Sequence, residues 1–516
     1  MDILSINKKP FYITTPIYYP SAKLHIGHAY CTTIADTIAR FKRLAGYDVF
    51  FLTGSDEHGQ KIQRTAEAQG VTPLEYVDKI VAGFQELWNR LNISNDDFIR
   101  TSEPRHQEVV QEFFRRIRDK GDIYKGEYTG LYCTQCESYW TELQLDEHGC
   151  CPDCHRPIEK VSEEAYFFKM SKYADKILKY IEDNPDFIVP TSRRNEMINF
   201  IKQGLEDLCV SRTSFDWGIP VPDDEKHVIY VWFDAVINYI TPIFRDPAKM
   251  ERFWPADIHL VGKEIVRFHS IIWPCMLMAL DLPLPKQIYG HGWLIVEGDK
   301  MSKSKGNVVD PMLLIDEFGA DAIRYFLLRE ITLGQDGGFS RDALINRINA
   351  DLANDLGNLL HRTLNMINKF QDGAVIAADG ESDIDKSFKT DAINTVSDYS
   401  KLMNDIQLSD AIKKTWTFVS RANKYIDETM PWKLAKDESQ KQTLANTLYN
   451  LVESLRIISI LISPFMPETA QKIYDQLNLS DFDKIQLEDA QTFGKFPSNH
   501  KVNKPQQLFP RIEVEK

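Results

Sequence analysis

Two short strings constrain this chain more than any other feature: His25-Ile26-Gly27-His28 near the start and Lys300-Met301-Ser302-Lys303-Ser304 well past the middle. Phe11-Tyr12-Ile13-Thr14-Thr15 reads as a buried strand, Pro16 to Lys23 as a loop and Gly27 to Leu44 as a helix. A helix N-terminus presents unpaired N–H groups and the positive end of the helix dipole, so anions settle there. His25 and His28, at spacing i, i+3, bring side-chain donors to one spot. Gly27 has no side chain to hold a flat base away from the backbone. The second string follows a strand-like run, Trp293-Leu294-Ile295-Val296, and a turn at Glu297-Gly298-Asp299, placing Lys300 and Lys303 on a short polar loop that can move. Lysine is a compact charge on a flexible stem, suited to charge that builds on phosphate oxygens during a reaction. Taken singly, the histidines also read as helix caps and the lysines as a solvated surface loop. The ordered pair favours the phosphates of ATP.

Other phosphate motifs find no anchor. There is no Gly-x-x-x-x-Gly-Lys-Ser/Thr string, and Gly290-His291-Gly292 lacks the third glycine of a dinucleotide fingerprint. Strands alternate with helices from Phe11 to Ser102 and again from Val228 to Leu328, which predicts an α/β Rossmann-type parallel sheet split by an insertion. Both strings then lie at strand ends around one crevice. The insertion carries Cys133-Thr-Gln-Cys136 and Cys151-Pro-Asp-Cys154, two Cys-x-x-Cys knuckles separated by fourteen residues, the spacing of a tetrahedral zinc site. Four thiolates leave no open coordination position, so such a zinc is structural. Cys150 and His155 adjoin the pair and are alternative ligands, although only Cys151 with Cys154 keeps the two-residue gap and four sulfurs. Cys31, Cys209 and Cys275 sit in apolar settings and read as core residues.

At 516 residues and 43% hydrophobic content the chain can bury several cores. The expected division is residues 1–115 and 226–340 for the two halves of the sheet domain, 116–225 for the connective insertion, and 341–516 for an all-α helical bundle. Long helical periodicities run over Asp342–Phe370, Asp391–Met403, Asp410–Met430 and Gln440–Ile462, with Gln371 to Lys389 expected as a flexible loop. No apolar run approaches the roughly 20 residues of a membrane span, and Met1 to Pro10 is too polar for a signal peptide. A cytoplasmic protein with no membrane partner is expected. The net charge of −14 does not suggest a nucleic-acid partner. Net charge reports solubility and non-specific attraction, however, and one nucleic acid can be met by local patches such as Lys300, Lys303 and Lys305.

The two strings resemble the signatures of class I aminoacyl-tRNA synthetases. Residues 10 to 470 are similar to one family of that class, the methionyl-tRNA synthetases. The resemblance rests on Tyr12 to Pro20, Thr53-Gly-Ser-Asp-Glu-His-Gly59, Asp216-Trp-Gly-Ile-Pro-Val-Pro222, Val231-Trp-Phe-Asp-Ala235, Pro431-Trp432 and the knuckle. The isoleucyl, valyl and leucyl enzymes carry far larger insertions, for which this chain has no room. The resemblance implies a methionine site at Ile17, Tyr19, Asp56, Trp232, Ala235, Tyr239, Ile265 and His269. It implies an ATP site at His25, Gly27, His28, Gly262, Glu264, His291, Lys300 and Lys303, with His25, His28, Lys300 and Lys303 catalytic. Family members often have Asp where this chain has Glu264. Anticodon contacts are implied at Asn358, Arg362 and Trp432. Without the resemblance, Trp232 and Tyr239 read as core aromatics, and Asn358 with Arg362 as one polar helix face.

The implied reaction has two steps. The carboxylate of methionine attacks the α-phosphorus of ATP with Mg2+ sharing the charge, and methionine then passes to the terminal adenosine of tRNA(Met), initiator included. The chain ends soon after Leu508-Phe-Pro-Arg-Ile512 with no added barrel-like domain, which favours a monomer. Two other classes stand as alternatives: a catalytically silent tRNA-binding paralogue, and a nucleotidyltransferase that adenylylates a small molecule. The latter leaves the knuckle and the bundle unexplained.

Overall fold

The computed structural model describes residues 8–136, 138–140, 142–296, 299–300 and 308–513. Six parallel strands build the central sheet: β1 (Pro10–Tyr18), β2 (Asp48–Ser55), β3 (Asp97–Arg100), β4 (Ile188–Val189), β5 (Ile258–Gly262) and β6 (Ile288–His291). Their spatial order is β3-β2-β1-β5-β6-β4. The order runs outward from β1 to one edge and, after the crossover to β5, toward the other, so a crevice opens at the carboxyl ends of β1 and β5. Register sets the depth of that crevice: Ile13 lies beside Ile258 and Thr14 beside His259, while Gly262 lies beside His291. The strands are apolar along both faces because both faces are covered. In β2, a Cβ on Gly54 would stand 2.1 Å from the Ile99 carbonyl oxygen, so only glycine lets β3 close against it.

One face of the sheet is packed by α1 (Ile26–Leu44), the helix that starts at the His25 string. The other carries α2 (Pro104–Asp119) and the six-residue α3 (Val231–Val236). Beyond them come α4 (Ala320–Glu330), a helix from Arg341 to Arg347 that continues through a π-type stretch at Ile348–Gly357 into α5 (Asn358–Phe370), then α6 (Asp383–Asn404), α7 (Leu408–Thr429), α8 (Lys441–Ile462) and α9 (Pro467–Gln476). All four helical periodicities seen in the sequence fall on these helices. α8 is buried on every side from Leu444 to Ile462 and forms the axis of the bundle. Among the described residues no helix is long and apolar enough to cross a membrane. The stretch 371–389 is the loop its composition predicts only as far as Ser382. Ala374–Val375 pairs with His500–Lys501, and a capping box at Ser382 and Asp385 starts α6.

The bundle shares one apolar core with α1 and α4, and a buried ionic joint crosses it. Arg324 of α4, fully buried, donates to the carbonyls of Phe465 (2.9 Å), Leu91 (3.1 Å) and Pro464 (3.0 Å) and lies 2.6 Å from Asp36 of α1. Asp36 also accepts from Arg40 at 2.8 Å and from the Ser94 backbone and hydroxyl at 2.7 and 2.6 Å. Asp321, one turn before Arg324, accepts from the Thr469 amide in the first turn of α9 at 2.6 Å.

The excursion between the two halves of the sheet is a long antiparallel hairpin, Ile123–Cys133 against Glu159–Phe168, widened by Ser138–Trp140 and Leu208–Cys209. The chain then returns to the main sheet, where helices Ala174–Asp183 and Thr191–Lys202 flank β4. β4, inside the stretch expected as insertion, thus supplies the outer edge of the Rossmann-type sheet.

Candidate active site

The phosphate half of the site begins with a self-capped helix. His25 is the N-cap of α1 in extended backbone. Its Nδ1 accepts the Gly27 amide at 3.1 Å, while His28 Nδ1 accepts the His25 amide at 3.0 Å. Since both Nδ1 atoms accept, the ring protons sit on Nε2, on two rings whose centroids are 3.9 Å apart. Burial, then the neighbouring His25 and His291, hold the His28 imidazole well below its usual pKa, so it is neutral at pH 7. Ile26 donates to the Val309 carbonyl at 3.0 Å, tying this turn to the segment that follows the lysine string. Lys303 lies outside the described residues, and Lys300 is described only as backbone of the short strand Asp299–Lys300.

Across the crevice, His291 ends β6 with its Nδ1 2.8 Å from the Gly292 carbonyl and its ring edge-on to Tyr30. Glu264 folds back over Gly262, whose added Cβ would meet its carboxylate at 2.7 Å, and accepts from Trp293 Nε1 at 2.8 Å. Trp293 is held in turn by Asp336, which takes its backbone amide at 2.8 Å and pairs with Lys263 at 2.7 Å. Sequence reasoning assigned nothing to Trp293, Asp336 or Lys263.

The second half lies at the ends of β1 and β2. Ile17 pairs with Gly54, and the Asp56 amide donates to the Tyr18 carbonyl at 3.0 Å. Tyr19 follows, with Lys61 Nζ 5.4 Å over its ring. Facing them, Trp232 on α3 stacks on Phe268 with ring centroids 3.6 Å apart and planes 5° from parallel. Ala235 is on the same helix and Ile265 ends a short 3₁₀ turn. Tyr239 O–H meets His269 Nε2 at 2.6 Å. His269 Nδ1 donates to the Ile265 carbonyl at 2.7 Å, so Nε2 is the acceptor and Tyr239 the donor. Burial draws the His269 pKa down to about 4, so the ring is neutral. The result is an aromatic cluster of Trp232, Phe268, Tyr239 and His269, with the Asp56 charge near enough to Tyr239 to disfavour its ionisation. Phe268 is a member that spacing alone does not reveal.

The three residues expected at the anticodon belong to the bundle. Asn358 opens α5, Arg362 pairs with Asp427 near the end of α7 at 2.9 Å, and Trp432 follows α7 with 41% of its surface exposed.

Four cysteines converge on the hairpin tip. Cys133, Cys136, Cys151 and Cys154 place their sulfurs within 4.8 Å of one another. Two separations, 3.5 Å for Cys133–Cys154 and 3.9 Å for Cys136–Cys151, bracket the edge of about 3.8 Å expected for sulfurs held tetrahedrally at about 2.3 Å from one ion. Hydrogen bonding from Cys136 draws the Cys133 thiol down to about 5, while burial pushes Cys151 up to about 12. Neighbouring thiolates resist one another's ionisation, and a divalent cation removes that resistance. His155 instead bonds Asp146 at 2.9 Å, and the Cys150 thiol points at the His148 carbonyl.

A family model described as class I tRNA synthetases (M) matches residues 11–160 and 157–364. The chain belongs to this family. A second model, the anticodon binding domain of methionyl tRNA ligase, matches residues 376–516. Among this family's methionine--tRNA ligases, that of Caldanaerobacter subterraneus subsp. tengcongensis is 60% identical over 99% of this chain and 80% of its own length. That of Clostridium tetani is 58% identical over 99% and 80%. The structure of Mycobacterium tuberculosis methionyl-tRNA synthetase in complex with methionyl-adenylate superposes with a TM-score of 0.94 at 42% identity, covering 98% of this chain and 100% of that one. The apo form of the same enzyme gives 0.88 at 38% identity, covering 99% of each chain. The fold class and the membership implied by the sequence motifs are thereby borne out: this is an ATP-dependent ligase of class I.

Proposed function

We propose that this class I synthetase is a methionine--tRNA ligase, which activates methionine with ATP and transfers it to tRNA(Met), initiator and elongator forms alike. What supports the reading is identity of up to 60% to methionine--tRNA ligases over 99% of this chain, together with the Trp232–Phe268 aromatic pair and the His25–His28 donors that cap α1. In this reading Asp56 holds the ammonium of methionine, and Trp232, Ala235, Tyr239, Ile265, Ile17, Tyr19 and His269 enclose the thioether, a polarizable group that gains from aromatic neighbours. The neutral Nε2–H donors of His25 and His28 meet the phosphates, Gly27 admits the base, His291 lies near it, and Glu264, braced by Trp293, meets the ribose with Gly262.

No enzyme nucleophile is needed. The slot aligns the methionine carboxylate with the α-phosphorus, and Lys300 and Lys303 follow charge onto the departing pyrophosphate, with Mg2+ sharing it. The adenosine hydroxyl at the end of the tRNA then attacks the adenylate carbonyl, while Asn358, Arg362 and Trp432 read the anticodon by stacking and edge hydrogen bonds. The enzyme works as a monomer in the cytoplasm. The four-cysteine cluster holds one structural Zn2+, whose contribution is to fold the hairpin tip. Cys151→Ser is expected to abolish stoichiometric zinc by atomic absorption and to expose the segment 133–158 to proteolysis. Full zinc content and unchanged cleavage in that variant would overturn the assignment.

ATP–pyrophosphate exchange with each of the twenty amino acids, with Mg2+ and without tRNA, tests the whole reading. Methionine alone should drive exchange, and Lys303→Ala should lower it by about 10²- to 10³-fold, the usual loss of one well-aimed charge donor. Exchange driven by another amino acid would refute the pocket. Absence of any exchange would favour the silent paralogue, and AMP release without tRNA dependence the nucleotidyltransferase.

A further inference from the structure

Behind the proposed methionine slot lies a buried group of three residues to which the reaction assigns no task. Asp234 of α3 is fully buried; its Oδ2 lies 2.6 Å from His58 Nδ1 and its Oδ1 2.7 Å from His106 Nε2. A carboxylate only accepts, so both ring nitrogens that face it carry protons. His58 belongs to the loop that leaves β2, two residues after Asp56. His106 belongs to α2, and its other nitrogen meets Thr241 Oγ1 at 3.0 Å. Asp234 sits on its own helix two residues after Trp232 and next to Ala235. The three side chains therefore join, from behind, the element that carries Asp56 to the element that carries Trp232.

α3 needs such an anchor. It has six residues and no side-chain cap before it tightens into a 3₁₀ turn at Ile237–Tyr239, and so short a run has little stability of its own. The Asp56 loop, by contrast, is clamped on its far side. Glu57, fully buried, accepts from Arg100 Nε at 2.6 Å and Nη2 at 3.0 Å and from the hydroxyls of Ser55 and Ser102, and its amide donates to Thr101 at 2.8 Å. His58 is thus a fixed post, and α3 is the part whose place depends on it.

We infer that Asp234 is a positioning residue, held by His58 and His106, that sets the distance between Asp56 and the Trp232–Ala235 wall and so tunes affinity for the amino acid. This rests on the reading of Asp56, Trp232 and Ala235 as the methionine site. It predicts an effect on methionine without one on ATP, whose residues lie on α1, β5, β6, the turn at Glu264 and the lysine string, none of them on α3 or the Asp56 loop.

Asparagine and glutamine test it by geometry. A glutamine amide reaches where His106 Nε2 stands and an asparagine amide falls short, near Nδ1. His106→Asn should raise KM for methionine in exchange by about tenfold or more, as loss of a hydrogen bond to a buried carboxylate does, with KM for ATP within about twofold. His106→Gln should stay within about threefold of the parent for both. At His58, where Nδ1 is used, the preference should reverse, with Asn tolerated and Gln not. That reversal keeps the inference testable if one variant fails to fold. Equal KM shifts for both substrates, or no difference between Asn and Gln at either position, would reduce the cluster to core stability. If the parent itself shows no methionine-driven exchange, the methionine reading fails instead.

Discussion

Arg324→Met should lower unfolding free energy by about 3–5 kcal/mol, the cost of removing one partner from a buried ion pair. Asp36 would keep only the half-buried Arg40 and the Ser94 donors, and the carbonyls of Leu91, Pro464 and Phe465 would lose their N–H partners inside a dry core. Arg324→Lys should recover little, because one ammonium cannot span three carbonyls and a carboxylate. The double variant Arg324→Met/Asp36→Leu should recover part of the loss, since it removes the buried carboxylate that Arg324→Met leaves short of a partner, and Arg40 keeps its bonds to the Asn92 carbonyl and amide oxygens. Urea midpoints of the four proteins decide this. A loss below about 1 kcal/mol for Arg324→Met would mean that water reaches the joint.

Acid should weaken the fold before most of its carboxylates titrate. His259, His269 and His291 are buried, His28 is half-buried, and all four are held below the ordinary histidine value, chiefly by loss of solvation. Each binds its proton more readily in the unfolded chain, so unfolding takes up protons and stability falls as pH drops below about 6.5. For His269, drawn down to about 4, the loss between pH 7 and pH 5 is about 2 kcal/mol. The other three add to it. Asp36 and Asp234 are held below the usual carboxylate value, Asp36 by Arg40 and Arg324 and Asp234 by His58 and His106 against the opposing effect of burial, so they extend the loss below pH 4. Asp321, pushed up to about 6 by burial, works the other way and recovers a part. Urea unfolding at pH 7 and pH 5 should show a clear fall in midpoint, and a flat profile would mean that these rings are hydrated.

What could be read from the chain beforehand follows local physics. β1 was legible because a parallel strand covered on both faces is a continuous apolar run. It reaches Tyr18, beyond the expected end at Thr15, because the register shifts between Thr14 and Ile17 and Pro16 sits in the irregularity. The His25 string and the four cysteines were legible from spacing, since one helix turn and one knuckle are short-range objects. β4 was not: two residues, Ile188 and Val189, have no period, and only pairing with β6 makes them a strand. The stretch 371–389 misled because Gly, Ala, Asp and Ser mark both loops and helix caps. Trp232 and Tyr239 could not be told from core by any local rule, and Asp36 and Arg324 find one another across most of the chain. His58 and Asp234 stood in quoted motifs, but the bond between them belongs to the tertiary fold.

The return of residues 188–189 to the sheet decides where this protein can be cut and rejoined. A splice that removed the whole of 116–225 would strip β6 of its outer neighbour and leave the Ile288–Tyr289 backbone as a raw edge, open to pairing with other chains. The portion that behaves as an appendage is smaller, the ribbon beyond Ile123 and Phe168 that ends in the cysteines. A graft designed on that ribbon keeps the edge strand as its hem, whereas one designed on the apparent boundaries of the excursion unravels the sheet it was meant to leave alone.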